Sequence, residues 1–137
     1  MDALVQAALD ARKRARAPFS GYAVGAAVKT ADGDVITGSN VENSSLGLTT
    51  CAERVALTSA LSQGHGSFTS LAVATRDGAS PCGACRQLIW DFCGDIPILL
   101  ADENGQVETV RTRELFPRPF GDSNLTASSG GVQDGKK

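Results

Sequence analysis

The sequence predicts an α/β sandwich built on a mixed five-stranded sheet. Segments with apolar residues at helical spacing alternate with short apolar runs typical of strands, in the order α-β-β-α-β-α-β-β. Asp32-Gly33 and Asn104-Gly105 are typical of tight turns between consecutive strands. The 137 residues, 42% of them hydrophobic, are the usual size of one domain with a single packed core.

The first half of the chain predicts two helices and a hairpin. Residues 3–15 have apolar side chains at helical spacing, and this helix should end before Pro18. Two strands follow within 22–30 and 34–41. The second helix is predicted within 49–64, where threonines can cap its start and a glycine closes it.

The second half repeats this alternation. Residues 68–75 are typical of a short buried strand, and residues 85–93 have the apolar stripe of an amphipathic helix. The remaining predicted elements are strands at 96–102 and 106–110 and a short helix around 112–117. Residues 126–137 have almost nothing to bury, so we expect a disordered tail behind a domain of residues 1–125.

Charge and composition exclude several classes of protein. The formal net charge of −2, with both signs interspersed, provides no cationic field for nucleic acid or an anionic membrane. No apolar run approaches the roughly 20 residues of a membrane span, and the N-terminus lacks the charge order of a signal peptide. We therefore expect a cytoplasmic protein with reduced cysteines and neither nucleic acid nor membrane as a partner.

Three cysteines have the spacing of metal ligands. In "SPCGACR", Cys82 and Cys85 stand at i and i+3 across the start of a helix, so their sulfurs can converge. Cys51 begins another helix and would complete three ligands. Cys93 lies about 12 Å further along the helix than Cys85, too far to share a zinc ion, and is interpreted as a core residue. Three ligands with an open position are typical of catalytic zinc, although the pair alone also fits a redox dithiol or two buried thiols.

Glu53 follows Cys51 by two residues, in the first turn of the predicted helix. From there its carboxylate can reach a water on the metal. An acidic residue is also favoured at that position by the helix dipole alone, so the spacing leaves both interpretations open. The single histidine, His65, lies in a loop, and we expect a solvent-exposed residue there and not a ligand.

The segments "CAER" at 51–54 and "PCGACRQ" at 81–87 resemble the zinc cytidine deaminases. That class is characterised by H-x-E…P-C-x-x-C, with a three-cysteine variant of the ligand set and a glutamate that is not a ligand. Because cysteine stands in place of the histidine of this motif, the sequence resembles the branch of the family that acts on free nucleosides. The likeness covers about residues 3–125 through "APFSGYAVGAAV", "GSNVENSS" and "LFPRPFG". It implies a three-layer cytidine-deaminase-like sandwich and a homotetramer with pockets shared between subunits.

The resemblance implies hydrolytic deamination of cytidine and 2'-deoxycytidine to uridine and 2'-deoxyuridine, with release of ammonia, in pyrimidine salvage. One zinc per subunit, on Cys51, Cys82 and Cys85, would supply a hydroxide that attacks carbon 4 of the base while Glu53 moves the protons. The nearest alternative is a deaminase of another cytosine nucleoside such as blasticidin S. A non-catalytic zinc module that binds protein or RNA is a second alternative, and a redox dithiol without a thioredoxin-like context is a third.

The resemblance also assigns the residues around the metal. Asn40 and Glu42, which alternate along a strand and so share a face, would bind the ribose 3'-hydroxyl. Tyr22 would pack against the pyrimidine ring, and the backbone N–H of Ala52 would bind the base carbonyl. Phe120 would be contributed to the pocket by a neighbouring subunit.

Three further residues lie in these motifs. The resemblance gives Arg54 and Gln87 the role of supporting the first cysteine, whereas from the residues alone both would be solvated helix positions. Leu46 departs from the tyrosine usual in this loop. The zinc chemistry does not depend on that side chain, so we expect Leu46 to affect substrate affinity and tetramer stability.

Overall fold

The structure, a computed structural model, describes residues 1–126. The helices and strands in that range are α1 (Ala3–Arg12), β1 (Gly25–Thr30), β2 (Val35–Ser39), α2 (Ala52–Ser62), β3 (Phe68–Ala74), α3 (Gly83–Cys93), β4 (Pro97–Ala101), β5 (Val107–Arg111), α4 (Thr112–Leu115) and α5 (Asp122–Thr126). Apart from Thr126, which ends α5, the predicted tail lies outside the described residues. The division into a domain and a tail therefore stays a prediction.

The five strands form one mixed sheet in the order β2-β1-β3-β4-β5. The pair β3–β4 is parallel, and the other three neighbouring pairs are antiparallel. The predicted fold class is confirmed. The alternation of helix and strand predicted it because a parallel pair needs a long crossover, which α3 supplies between β3 and β4.

Helices cover both faces of this sheet. Successive side chains of a strand point to opposite faces, so Val28, Leu71 and Ile98 join α2 and α3 in one buried cluster. Ala27 and Ala72 point the other way and pack with α1. The helices therefore form two outer layers with the sheet between them.

Small residues on the sheet let the helices approach closely. A Cβ atom built on Gly38 in β2 would lie 2.5 Å from the backbone nitrogen of Ala56 and 2.6 Å from the carbonyl oxygen of Ala52, both in α2. Contacts this short cannot be accommodated without moving the helix. The absence of a side chain at Gly38 therefore sets the height of α2 above the sheet.

The end of the first helix and the start of the first strand are among the bounds that differ from the sequence-based prediction, and the short helix α5 was not predicted. The α-helical part of α1 ends at Arg12, because the backbone N–H groups of Lys13, Arg14 and Ala15 bond to carbonyls three residues back, as in a 3₁₀ turn. The first strand begins at Gly25 and not at 22, because the Asn40 side chain and backbone bind the main chain of residues 22–24.

One edge of the sheet brings three loops together. Gly25, at the start of β1, pairs with Ser39 at the end of β2 and with Ala74 at the end of β3. The segments 18–24, 40–51 and 75–82 therefore meet at this edge, and the last two lead directly into α2 and α3. Among the helices in residues 1–126, none is long and apolar enough to cross a bilayer.

Candidate active site

Three of the four cysteines lie together at the N-terminal ends of two helices. Cys51 directly precedes α2, Cys82 directly precedes α3, and Cys85 lies in the first turn of α3. Their sulfur atoms all lie within 4.8 Å of one another. Cys85 is buried, Cys51 is half-buried and Cys82 is exposed, so the cluster lies at the boundary between core and surface.

The chemistry of this cluster fits a zinc ion. Sulfurs that share a zinc at about 2.3 Å lie about 4 Å apart, close to the spacing found here. A hydrogen bond from Cys85, a second from Cys82 and the charge of Arg54 lower the pKa of Cys51 to about 6 despite partial burial. The same Cys51 contact, together with burial, raises the pKa of Cys85. The cluster therefore offers an acidic thiol next to two further soft donors, a set that selects zinc over hard cations.

Within residues 1–126, no fourth candidate ligand joins the three cysteines. His65 lies elsewhere, with its ring nitrogens 3.9 Å from Asp32 and 3.8 Å from Asp34. Its side chain is only 16% exposed, less than we expected for the loop, because it is folded between these two carboxylates. Cys93 ends α3 and packs against the core. The ligand set of three leaves a coordination position for water.

Glu53 is buried next to the cysteines, with only 4% of its surface exposed. Burial raises the pKa of Glu53 to about 7, and the neighbouring Cys51 acts in the same direction, whereas hydrogen bonds from its own backbone N–H and from Cys85 oppose the rise. A carboxyl group that titrates near neutral pH can both accept and release a proton. Its environment therefore suits a proton carrier.

A cavity of about 350 Å³ opens in front of the cysteines and Glu53, between the three loops at the sheet edge. This volume falls within the range of small-molecule sites. Seven of the residues predicted for the site line it: Tyr22, Asn40, Glu42, Cys51, Ala52, Glu53 and Cys82.

Asn40 holds the main chain that precedes β1. Its Oδ1 accepts a hydrogen bond from the N–H of Val24 at 2.9 Å, and its Nδ2 donates to the carbonyl of Tyr22 at 2.8 Å. A side-chain amide has two donors and two lone pairs, so one of each remains available to a ligand. Asn40 thus shapes the cavity wall and lines the cavity as well.

The carboxylate of Glu42 accepts three hydrogen bonds from the segment before β1. The N–H groups of Phe19 and Ser20 donate to Oε1 at 2.9 and 3.1 Å, and the Ser20 hydroxyl donates to Oε2. The Ser20 hydroxyl is the main cause of a lowered pKa for Glu42. Because a carboxylate has about four acceptor positions, one remains for a substrate hydroxyl.

Tyr22 and Ala52 line the cavity from different elements. The Tyr22 hydroxyl donates a hydrogen bond to Asp77 Oδ1 at 2.6 Å. Ala52 is the first residue of α2, where backbone N–H groups have no partner within the helix. Its N–H is therefore suited to bind an acceptor on a ligand.

Arg54 and Gln87 have different surroundings. Arg54 donates to the carbonyl of Thr49 at 2.9 Å, and its charge acts on Cys51. The amide of Gln87 donates to the carbonyl of Phe120 at 2.8 Å and to Asp91 at 3.3 Å. Gln87 thus holds the segment that carries Phe120, and its predicted support of Cys51 stays a prediction.

Phe120 and Leu46 lie on the surface. Phe120 is 53% exposed and does not line the cavity of its own chain. Leu46 begins a single 3₁₀ turn, Leu46–Leu48, and is 73% exposed. Both side chains are thus accessible to a second molecule.

Three residues that shape the site were not predicted from the sequence: Ser20, Asp77 and Arg86. Arg86 donates to the carbonyls of Pro81 and Leu115 at 2.9 Å each and to the Ser80 hydroxyl at 3.0 Å, which fastens the loop that carries Cys82. Its place inside "PCGACRQ" is a signal that could have identified it. Asp77 had no comparable signal, because its partner is 55 positions away in the sequence.

A helix–sheet–helix sandwich with three cysteines at two helix N-termini, and a buried glutamate against them, defines a zinc-dependent deaminase. Residues 1–98 match the cytidine and deoxycytidylate deaminase zinc-binding region. The chain belongs to this family, and it is an enzyme whose cofactor is zinc.

Individual relatives agree with this assignment. The chain is 40% identical to the cytidine deaminase of Sporosarcina psychrophila over 129 aligned residues. The alignment covers 92% of this chain and 95% of the relative. The crystal structure of cytidine deaminase from Burkholderia pseudomallei superposes with a TM-score of 0.82 at 43% identity, over 86% of this chain and 97% of that one. The blasticidin-S deaminase of Bacillus cereus is 35% identical over 108 residues, 71% of this chain and 76% of the relative.

Proposed function

We propose that this enzyme hydrolyses cytidine and 2'-deoxycytidine to uridine and 2'-deoxyuridine, with release of ammonia. The observation that carries the proposal is a buried Glu53 against three convergent cysteines at the end of a nucleoside-sized cavity. The cytidine deaminases among its relatives support the choice of nucleoside. Cytoplasmic pyrimidine salvage is the setting we propose for this reaction.

The residues of the chain divide the work of this reaction. Cys51, Cys82 and Cys85 would hold zinc, which when bound makes a water molecule more acidic and thus a better nucleophile. Glu53 takes a proton from the water at its carboxylate oxygen and passes it to ring nitrogen 3, while the water oxygen forms a bond to carbon 4. Glu53 then takes the remaining proton of that oxygen and gives it to the amine, so that ammonia leaves as the carbonyl forms at carbon 4. General acid–base catalysis of this kind contributes about 10²- to 10⁴-fold to the rate.

We further propose that the other predicted residues position the nucleoside. Asn40 retains one donor and one acceptor position, and Glu42 retains one acceptor position, with which they would bind the 3'-hydroxyl. The N–H of Ala52 would bind the base carbonyl, and the ring of Tyr22 would form one wall against the pyrimidine. Arg54 would stabilise the thiolate of Cys51 through its charge.

The test is turnover of cytidine by the purified protein, followed as the loss of ultraviolet absorbance on conversion to uridine. We expect rapid loss with the parent, and a decrease of about 10²- to 10⁴-fold for Glu53→Gln with zinc still bound. Full activity of the variant would overturn the role of Glu53, whereas a zinc-loaded parent that turns over no cytosine nucleoside would favour the non-catalytic zinc module. A zinc-loaded parent that leaves cytidine intact would overturn the substrate.

Blasticidin S is the second candidate substrate, favoured by the similarity to a blasticidin-S deaminase. Turnover of both compounds by the same preparation decides between them. We expect kcat/KM to be higher for cytidine, and a higher value for blasticidin S would reverse the assignment.

We also propose a homotetramer whose pockets are shared between subunits. The support is the set of large apolar side chains exposed on residues 1–126, which includes Phe19, Leu46, Leu48 and Phe120 at 53% or more. Contact between subunits would remove such side chains from water, which is favourable for large apolar groups. Light scattering should give the mass of four chains of 14.1 kDa each, and the mass of one chain would contradict the proposal.

A further inference from the structure

The hydroxyl of Tyr22 is tied to a carboxylate outside the cavity. Its oxygen lies 2.6 Å from Asp77 Oδ1, and the guanidinium of Arg76 lies over the ring at 5.0 Å from its centre. Tyr22 lines the cavity, whereas Asp77 does not. Asp77 therefore contacts the site only through other side chains.

Asp77 also contacts a second part of the cavity wall. The buried Thr75 donates from its hydroxyl to Asp77 Oδ1 at 3.2 Å and accepts a hydrogen bond from the N–H of Ala79 at 3.0 Å. Thr75 and Ala79 both line the cavity, in the loop that leads to Cys82. One carboxylate oxygen thus links the segment before β1 to the loop between β3 and α3.

The electrostatic effects agree with this geometry. Hydrogen bonding from Tyr22 is the largest contribution to the lowered pKa of Asp77. The pKa of Tyr22 is raised, first by burial and then by its hydrogen bond to Asp77. Hydrogen bonds to an ionised acceptor are stronger than those between neutral groups, so the contact restrains the phenol.

We propose that Asp77 is a positioning residue that holds Tyr22 in place as the cavity wall and thereby sets the affinity for the nucleoside. This inference rests on the proposed function, because it assigns the pyrimidine to the cavity. Without Asp77 the ring of Tyr22 would be mobile in the absence of substrate. Substrate binding would then have to immobilise the ring, which lowers the affinity. Immobilising one side chain weakens binding by roughly 3- to 10-fold.

The kinetic test is a double-mutant cycle with Asp77→Ala and Tyr22→Phe. We expect each single variant to raise KM for cytidine roughly 3- to 10-fold with kcat within about twofold. KM for the double variant should be no higher than for the more affected single variant, because both substitutions remove the same contact between Tyr22 and Asp77. Asp77→Asn, which retains an acceptor oxygen, should recover most of the affinity. Multiplied effects in the double variant, or a fall in kcat at constant KM, would overturn the proposal.

A second readout does not depend on turnover. Tyr22 is the only tyrosine in the chain, so tyrosinate absorbance during an alkaline titration reports this residue alone. We expect its pKa to be lower in Asp77→Ala than in the parent, and intermediate in Asp77→Asn. An unchanged titration would overturn the contact itself. If the parent does not turn over cytidine, the proposed function fails, and the titration still decides whether Asp77 holds Tyr22. Equal zinc content and equal Tm among the variants exclude loss of the fold.

Discussion

At the residue scale, the site depends on how far each ionisable group is removed from water. Cys82 is exposed, Cys51 is half-buried, and Cys85 and Glu53 are buried, so the metal would lie at the inner end of an open cavity. Burial raises the pKa of Glu53 to about 7, close to neutral pH. The chemistry thus arises from placing ordinary side chains in a partly desolvated position.

Removal of one thiolate should remove the metal. Cys82→Ala is the clearest substitution, because this exposed side chain contributes little to the core. We expect zinc affinity to fall by more than the roughly 10- to 100-fold that loss of an outer contact causes, and turnover to fall with it. Elemental analysis after dialysis measures the zinc content. Cys93→Ala is the matched control and should keep one zinc per chain, since equal zinc loss in both variants would contradict the assigned ligand set.

Glu42 should make the enzyme prefer nucleosides that carry a 3'-hydroxyl over those that lack it. A hydrogen bond to a charged group contributes about 1.5–3 kcal/mol, so Glu42→Gln should lower kcat/KM for cytidine roughly 10- to 100-fold. The same variant should show little further loss with 3'-deoxycytidine, which lacks the group that Glu42 would bind. Glu108→Gln, on the exposed β5, is the control. An equal loss with both nucleosides would assign Glu42 to holding the Phe19–Ser20 segment alone.

At the scale of elements, two strand ends and two helix starts create the site. The ends of β2 and β3 lie on either side of the start of β1, and the loops that follow them lead to α2 and α3, each directly preceded by a cysteine. A helix N-terminus carries about half a positive charge, which favours thiolates at that position. The placement of α2 on the sheet is therefore as important as the identity of Cys51.

Gly38→Ala should displace α2. Its added Cβ would meet backbone atoms of Ala52 and Ala56, which cannot rotate away, so we expect the free energy of unfolding to fall by about 1–3 kcal/mol or more. Because α2 carries Glu53, turnover should fall as well. Urea unfolding measures the first effect. Gly66→Ala, whose Cβ would meet nothing within 4 Å, is the control, and equal midpoints for the two variants would disprove the close approach.

At the scale of the whole molecule, the described chain leaves apolar side chains uncovered close to its cavity-forming loops. Leu46 and Leu48 belong to the 40–51 loop, and Phe120 follows the segment that Gln87 holds. Burying such side chains between subunits would be favourable at about 25 cal/mol per Å² of apolar surface. Leu46, in place of the tyrosine that the resemblance leads us to expect in this loop, would retain this contribution without the hydroxyl.

Mixed oligomers should show whether pockets are shared. Phe120→Ala should lower kcat/KM about 10-fold, as expected for loss of an aromatic contact, with zinc retained. Co-expression of Phe120→Ala with Glu53→Gln should restore activity above either variant alone, because a subunit with an intact Glu53 can then receive an intact Phe120 from its neighbour. Co-expression of Glu53→Gln with Cys82→Ala is the control and should give no gain. An absence of gain in the first pair would place Phe120 outside the neighbouring pocket.

The sequence by itself determined the alternation of elements and the mixed sheet, because these depend on spacing within each segment. It also indicated the three cysteines and Glu53, through two short motifs and their resemblance to a known family. Only the tertiary structure decided that Asp77 binds Tyr22, that Asn40 binds the main chain before Gly25, where the first strand begins, and that Gln87 binds the main chain at Phe120. These contacts join positions 16 to 55 residues apart. Local spacing carries no information about which distant polar groups meet, since that depends on how the sheet and its helices pack.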